Sequence, residues 1–488
     1  MTTLNIKNKC ILVVAVAAIA FAGCKKYLDV NDNPNLASSA SVELLLPAVQ
    51  AALGHDLGNP LQIYGGIWSQ YWTQSPTSSQ YRSIDQYSVT TTAFDRTWRM
   101  IYSDALQDIQ EILNLTQGKA ASNQYTAIAL ILKAYAFQLA TDAFGDVPLT
   151  EATKPGVTNP TYTPQQQIYD SIVAWVNTAI SLIDVDAEVT PATDDLIAHG
   201  DMEQWLRFAN TFKLRVLLRL SEVTPQKAAA GIQTLNNAEF LTKDAQIAYS
   251  AVGGNQNPLF SEMLELGRTQ NLVASETSTK FMTQNRDPRA DIFYTRFVSA
   301  ARGIDSIIGI PQGSFRSNLR TFSLPSTVTG ANARNDLSAN APVKFMSAAE
   351  SYFLQAEAVA RGWLTTGQPA LTLFREGIRA SFKSYNVSGV ETYITNSPAA
   401  QWPSGTQQQI RAIIIQKWLA MNGNQGFEAW SEWRRTGYPD FFTVSRASAL
   451  GDDRMPARIL YPSSEVTQNL NFPGIKLIYE PVWWDVKD

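Results

Sequence analysis

Few residues of this 488-residue chain are placed to do covalent or acid–base chemistry. There are two cysteines, Cys10 and Cys24, and two histidines, His55 and His199. Cys24 is the one whose surroundings imply a reaction. Lys7 and Lys9 precede an apolar run from Cys10 to Ala22 that is too short to span a bilayer, and Phe21-Ala22-Gly23 sets small residues just before the thiol. This is the layout of a lipoprotein export signal: residues 1–23 are removed and the Cys24 sulfur is acylated. Phe21 stands where such a signal prefers Leu, and the competing reading is an ordinary secretory signal that leaves Cys24 as a free thiol. In both readings Cys10 leaves with the signal, so no disulfide forms and stability rests on packing.

Other chemistries are thinly supplied. Hydrolysis of a glycosidic bond needs two carboxylates roughly 5–10 Å apart, one with a raised pKa. Glu428 and Glu432 stand four apart, so they share a helix face, with Arg435 three beyond Glu432. That spacing predicts a solvated or interhelical ion-pair face, and the same reading covers Glu350 and Glu357. Neither histidine lies in a nucleophile motif, and both read as capping or surface residues. Asp29, Asn31 and Asn33 imitate the start of a calcium loop, but Pro34 occupies its glycine position and Ala40 its bidentate glutamate position. No phosphate loop or dinucleotide fingerprint occurs. The sequence therefore predicts no catalytic residue, no metal and no cofactor.

The elements that must carry these residues are mainly helical. A polar tether, 24–41, precedes a body over 42–488. Within the body, Trp98, Ile101, Ala105, Ile109 and Ile112 recur at helical spacing, as do Ile128, Leu132, Tyr135 and Leu139. Ile168, Ile172, Trp175, Ala179 and Leu182 make a third stripe, and Trp205, Phe208, Phe212, Val216 and Leu220 a fourth. Later, Ala349, Phe353, Ala356 and Ala360 form a small-residue face, a turn runs from Gly362 to Gly367, and Leu371, Phe374 and Ile378 continue on a second helix. Ile410, Ile414, Trp418 and Met421, then Phe427 to Trp433, make a last pair. Small facing residues let paired helices approach closely, as in tetratricopeptide hairpins, although the period is irregular.

Three stretches, 73–92, 240–270 and 285–345, are weakly periodic and read as long loops. Gln246–Ala251 and Lys476–Glu480 are the β candidates, and Trp68 and Trp72 read as one core stripe on a short helix. With 39 basic against 43 acidic residues the chain is net acidic, which argues against nucleic acid and against an anionic membrane surface as partners.

Several segments together resemble the SusD/RagB outer-membrane lipoproteins. They are Cys24-Lys25-Lys26-Tyr27-Leu28-Asp29, residues 129–149 (ALILKAYAFQLATDAFGDVPL), 205–221 (WLRFANTFKLRVLLRLS), 349–362 (AESYFLQAEAVARG), 416–438 (QKWLAMNGNQGFEAWSEWRRTGY), 454–462 (RMPARILYP) and 482–485 (VWWD). The resemblance implies a mainly α SusD-like fold with about four degenerate tetratricopeptide-like helix pairs, irregular excursions on one face and few short strands. It also implies a surface-exposed lipoprotein of the outer membrane that binds a nutrient for a TonB-dependent, SusC-like barrel. That nutrient would be an oligosaccharide or polysaccharide or, in the RagB-like alternative, a peptide. A surface glycoside hydrolase and a purely structural lid are the remaining alternatives. By position, the resemblance nominates as ligand-binding residues Tyr81, Arg82 and Tyr87 in the early loop, then Asn255, Gln256 and Asn257, then Phe315, Arg316 and Asn318.

Overall fold

Apolar stripes at helical spacing find their partners in consecutive helix pairs. In the computed structural model, residues 40–487 are described, so Cys24, the tether up to residue 39 and the Asp29–Asn33 run lie outside the described residues. Helices α1 (Val42–Gly58) and α2 (Pro60–Trp68) open the body, and every residue of α2 is buried. Pro60 starts α2 where a missing N–H costs nothing. Next come α3 (Asp95–Arg99), a π-helical stretch Met100–Leu106, and α4 (Gln107–Thr116), which follow one another without a break and carry the predicted Trp98–Ile112 stripe inward. Then α5 (Asn123–Phe144) packs on α6 (Gln165–Leu182), and α7 (Met202–Arg219) is followed by α8 (Pro225–Gln233). Helix α5 is long and apolar enough to cross a membrane, but 89% of its apolar window is buried inside the protein, as a core helix requires.

The middle of the chain holds short elements. Among the described residues four two-stranded antiparallel ribbons form: β1 (Trp72–Gln74) with β5 (Leu272–Ala274), β2 (Val147–Pro148) with β3 (Tyr162–Thr163), β4 (Ala245–Ile247) with β8 (Val343–Met346), and β6 (Phe297–Ser299) with β7 (Ile304–Ser306). Helices α9 (Pro258–Glu265) and α10 (Glu276–Gln284) lie between them. The three stretches expected as loops are thus only partly irregular. The β candidate at Gln246 is shortened to β4, while Lys476–Glu480 forms no strand. Trp68 and Trp72 are both core residues, but the first ends α2 and the second begins β1, so the one-helix expectation is corrected.

Helices α11 (Ala348–Ala360), α12 (Ala370–Ser384), α13 (Val390–Asn396), α14 (Thr406–Met421) and α15 (Gly426–Thr436) follow, with a short helix, Ser463–Gln468, after them. The predicted small-residue face is used: Ala349, Phe353 and Ala356 pack with Leu373, Phe374, Ile378 and Ile413. At the crossing of α2 and α15 the backbones nearly touch. A Cβ on Gly65 would lie 2.1 Å from the Phe427 nitrogen, and Trp68 packs its ring 4.8 Å from that of Trp430.

Candidate functional site

The early nominated loop is built on β1. From Gln74 the chain turns back through one helical turn, Arg82–Asp85, and leaves through Tyr87 in a left-handed conformation, φ 62°. Asp85, fully buried, holds this loop to a second one. Its Oδ2 accepts from Thr73 Oγ1 (2.7 Å), the Gln74 N–H (3.1 Å) and the Gly313 N–H (3.1 Å). Burial raises its pKa to about 6, with the three hydrogen bonds pulling the other way. Gly313, at φ 73°, sits so close to a third loop that a Cβ would lie 2.2 Å from Ser445 Oγ. That third loop is fixed by the Ser445 N–H on the Tyr87 hydroxyl (3.1 Å), the Arg446 N–H on the Gln312 carbonyl (2.9 Å) and the Ala449 N–H on the Gln86 carbonyl (2.8 Å).

Residues distant in sequence therefore meet on one face. Arg82 and Arg316 both lie over the Phe315 ring, at 5.5 and 5.8 Å, and Arg316 Nη2 donates to Gln86 Oε1 at 3.3 Å. Arg82, Arg316 and Arg446 are exposed, and among the described residues none pairs with a carboxylate. A face with unpaired guanidinium forks and an amide can bind hydroxyl or carboxylate oxygens. Sequence reasoning missed Arg446 as part of it, and Asp85 as its fastener.

The other nominations divide by exposure. Tyr81, Tyr87, Phe315 and Asn257 face inward, each 3–4% exposed, which corrects the expectation that they offer surface to a ligand in this conformation. The Tyr81 hydroxyl donates to Glu262 Oε1 at 2.7 Å. Asn257 caps α9, its Oδ1 accepting from the Leu259 and Phe260 N–H groups at 3.0 and 3.2 Å and its Nδ2 donating to the Ala341 carbonyl at 2.8 Å. Asn255 is exposed and Gln256 half-buried, and both bond within their own turn, to Ser250 and Ala251. Asn318 is exposed on the loop that carries Arg316.

The carboxylates weighed for hydrolysis are in the core. Glu428 accepts from Arg219 at 2.6 Å; Glu432 from Arg219 at 2.5 Å and Arg435 at 2.7 Å; Glu350 takes both arms of Arg215, at 2.7 and 2.8 Å; Glu357 takes both arms of Arg435 at 2.7 Å. Lys417 reaches Glu432 at 3.2 Å. Of the two readings offered for these positions, the interhelical ion pair holds and the solvated face does not. Burial pushes the pKa of Glu428 and of Glu432 up, but the surrounding Arg and Lys charges outweigh it and hold both below the usual carboxylate range. Neither is poised as a general acid. His55 is half-buried on the last turn of α1 against Arg96, and burial, then that arginine, lower its pKa to about 4. It carries no charge near neutral pH and so adds no cation to the end of α1. His199 is exposed in a turn, as expected. Among the described residues no three His, Cys, Asp or Glu side chains gather as metal ligands.

The model of the SusD-like family described as starch-binding and associating with the outer membrane matches residues 34–462, and the chain belongs to that family. Among solved structures, a chitin-binding protein superposes with a TM-score of 0.76 at 22% identity, over 92% of this chain and 100% of its own. A chitin-binding SusD homologue from Flavobacterium johnsoniae does so at 0.75 and 24%, over 92% and 98%. A SusD homologue from Bacteroides vulgatus does so at 0.75 and 21%, over 88% and 93%. At these identities the likeness establishes the fold. No curated protein sequence matches the chain.

Proposed function

We propose that this protein is a lipid-anchored, surface-facing outer-membrane protein that binds a glycan, performs no chemistry on it and passes it to a TonB-dependent, SusC-like barrel. Family membership supports the membrane association and the class of role. The solved relatives described as chitin-binding support an oligosaccharide as the cargo. The observation that carries the reading is the three-loop face, where Arg82, Gln86, Arg316 and Arg446 are held outward by a buried Asp85 while the chain's carboxylate pairs are locked in ion pairs. Fixed donors bind without reorganisation, which suits capture and release. Asn318 on the same face, and Asn255 with Gln256 on the neighbouring turn, extend the proposed contact set, with Tyr81, Tyr87, Phe315 and Asn257 as its supports.

Calorimetry with soluble chito-oligosaccharides, other oligosaccharides and a peptide pool tests the cargo. Binding to an oligosaccharide that falls at least tenfold in the Arg82→Ala/Arg316→Ala protein is the expected result. Tight binding of peptides alone gives the RagB-like alternative, and release of reducing sugar gives a hydrolase. One acyl chain anchors only marginally, so the several chains of an acylated Cys24 matter. Cys24→Ala is expected to move the protein from the membrane to the soluble fraction.

A further inference from the structure

A second face of the molecule, on different elements, has the makings of a binding site. A cleft of about 530 Å³ opens between α4, α5, α6 and the segment after β2. That volume is in the range of pockets that hold small organic ligands. Beside Glu111, which accepts from Asn114 Nδ2 at 3.3 Å, and the hydroxyls of Thr150, Thr153 and Ser171, three kinds of group bear on a ligand. Trp175, on α6, keeps part of its indole in solvent and is braced from α5 by Phe137, with ring centroids 5.4 Å apart, and by Lys133, 4.9 Å from the ring. Gln107, Gln110 and Asn114 occupy successive turns of α4, so spacing alone sets their amides in a row along one wall. Lys133 is the one basic residue of α5; it reaches Gln110 Oε1 at 3.4 Å, and no carboxylate comes within ion-pairing distance among the described residues.

These groups are linked. Gln110 Nε2 donates to Asn114 Oδ1 at 3.0 Å, so Lys133, Gln110 and Asn114 form one directed chain of donors and acceptors along the cleft. An aromatic face meets the apolar C–H surface of a pyranose ring, and primary amides, each donor and acceptor at once, match neighbouring hydroxyls. The fully buried stripe positions are Ile109, Ile112, Ile172 and Val176, so the amides stand on the other side of α4, while Trp175 sits at the edge of its stripe, packed on Phe137 and part-exposed.

We propose that this cleft is a second carbohydrate subsite, separate from the three-loop face, that stacks one sugar ring on Trp175 and hydrogen-bonds its hydroxyls through Gln107, Gln110, Asn114 and Lys133. The choice of ligand class rests on the glycan-binding reading above; the location rests on the cleft alone.

The test compares the wild-type protein with Gln110→Ala/Asn114→Ala, Trp175→Ala and Arg82→Ala/Arg316→Ala proteins. Each is titrated with tetrasaccharides of N-acetylglucosamine, glucose and xylose by calorimetry and by tryptophan fluorescence. The Gln110/Asn114 double variant touches no core residue and stays informative if Trp175→Ala unfolds. Support is a component of binding that survives Arg82→Ala/Arg316→Ala, weakens at least fivefold in Gln110→Ala/Asn114→Ala, and loses its fluorescence change in Trp175→Ala. Oligosaccharide binding abolished by Arg82→Ala/Arg316→Ala and unchanged by both cleft variants overturns this subsite and leaves the proposed function standing. Peptide binding that the cleft variants weaken, without any effect on sugars, overturns the ligand class. Failure of the wild-type protein to bind any of the sugars overturns both readings.

Discussion

Two kinds of buried charge occur in this protein, and they respond oppositely to substitution. Arg219 contacts Asp142 at 3.3 Å, Glu428 at 2.6 Å and Glu432 at 2.5 Å with almost no exposure. Removing one partner of such a set leaves the others charged and dry, at a cost of about 3–5 kcal/mol. Arg219→Ala is expected to lower the denaturant midpoint accordingly, whereas cutting the solvent-facing Arg411–Asp440 pair is expected to cost under about 1 kcal/mol. Asp56 is the opposite case. It is fully buried, and burial raises its pKa from 3.8 to about 8 against the Thr97 hydroxyl and the Arg96 charge, which pull it down. Because the folded state holds this proton more tightly than the unfolded state, stability falls as pH rises from about 4 to about 8 and is level beyond. Asp56→Asn removes the penalty. Its melting temperature is expected to match the wild type near pH 4 and to exceed it by a few degrees at pH 8; thermal melts across that range check the sign.

Helix pairs set the next scale, and their closest approach is at two glycines. Gly65 on α2 faces Gly426 and Phe427 at the start of α15, with atoms at 2.1–2.5 Å from where a Cβ would stand. Both partners are backbone, so nothing flexible can give way. Gly65→Ala is expected to cost at least about 1–3 kcal/mol by overpacking, while Gly253→Ala, with open space around it, leaves the melting temperature unchanged. Helix α6 was legible because its buried stripe, Ile168, Ile172, Val176 and Ala179, alternates with a polar face. Helix α2 was not, because burial on every side erases that contrast. The ribbons were hidden for another reason: strands of two to four residues show no alternation, and β1 finds β5 some two hundred residues away. The site was legible in its location and not in its side chains. Polar loops with Tyr and Arg marked the face, but only the fold decides that Phe315 lies beneath Arg82 and Arg316 instead of beside them.

At the scale of the whole molecule, the helix pairs are not independent repeats, because the two ends of the body are interlocked. Trp418 of α14 donates to the Ser69 carbonyl at 2.9 Å, and the Tyr71 hydroxyl returns a bond to the Trp418 carbonyl at 2.5 Å. The chain after α15 passes back over the end of α5: the Ile459 N–H meets the Ala143 carbonyl at 2.8 Å and the Tyr461 hydroxyl the Asp146 carbonyl at 2.7 Å. Trp484 closes the arrangement. Its indole N–H donates to Asp142 Oδ1 at 2.8 Å, and its ring lies between the guanidinium groups of Arg219 at 5.3 Å and Arg434 at 4.7 Å. A stacked array in which each repeat touches only its neighbours can unfold piecewise. Here the last residues complete an ionic cluster whose other members lie on α5, α7 and α15, so loss of the terminus is felt by all of them. Trp484→Ala is expected to cost about 3–5 kcal/mol, and to keep a single unfolding transition in which far-ultraviolet dichroism and tryptophan fluorescence coincide. If the carboxyl-terminal segment were only a strap on a modular array, the same substitution would split the melt into two steps and leave the first helix pairs at the wild-type midpoint.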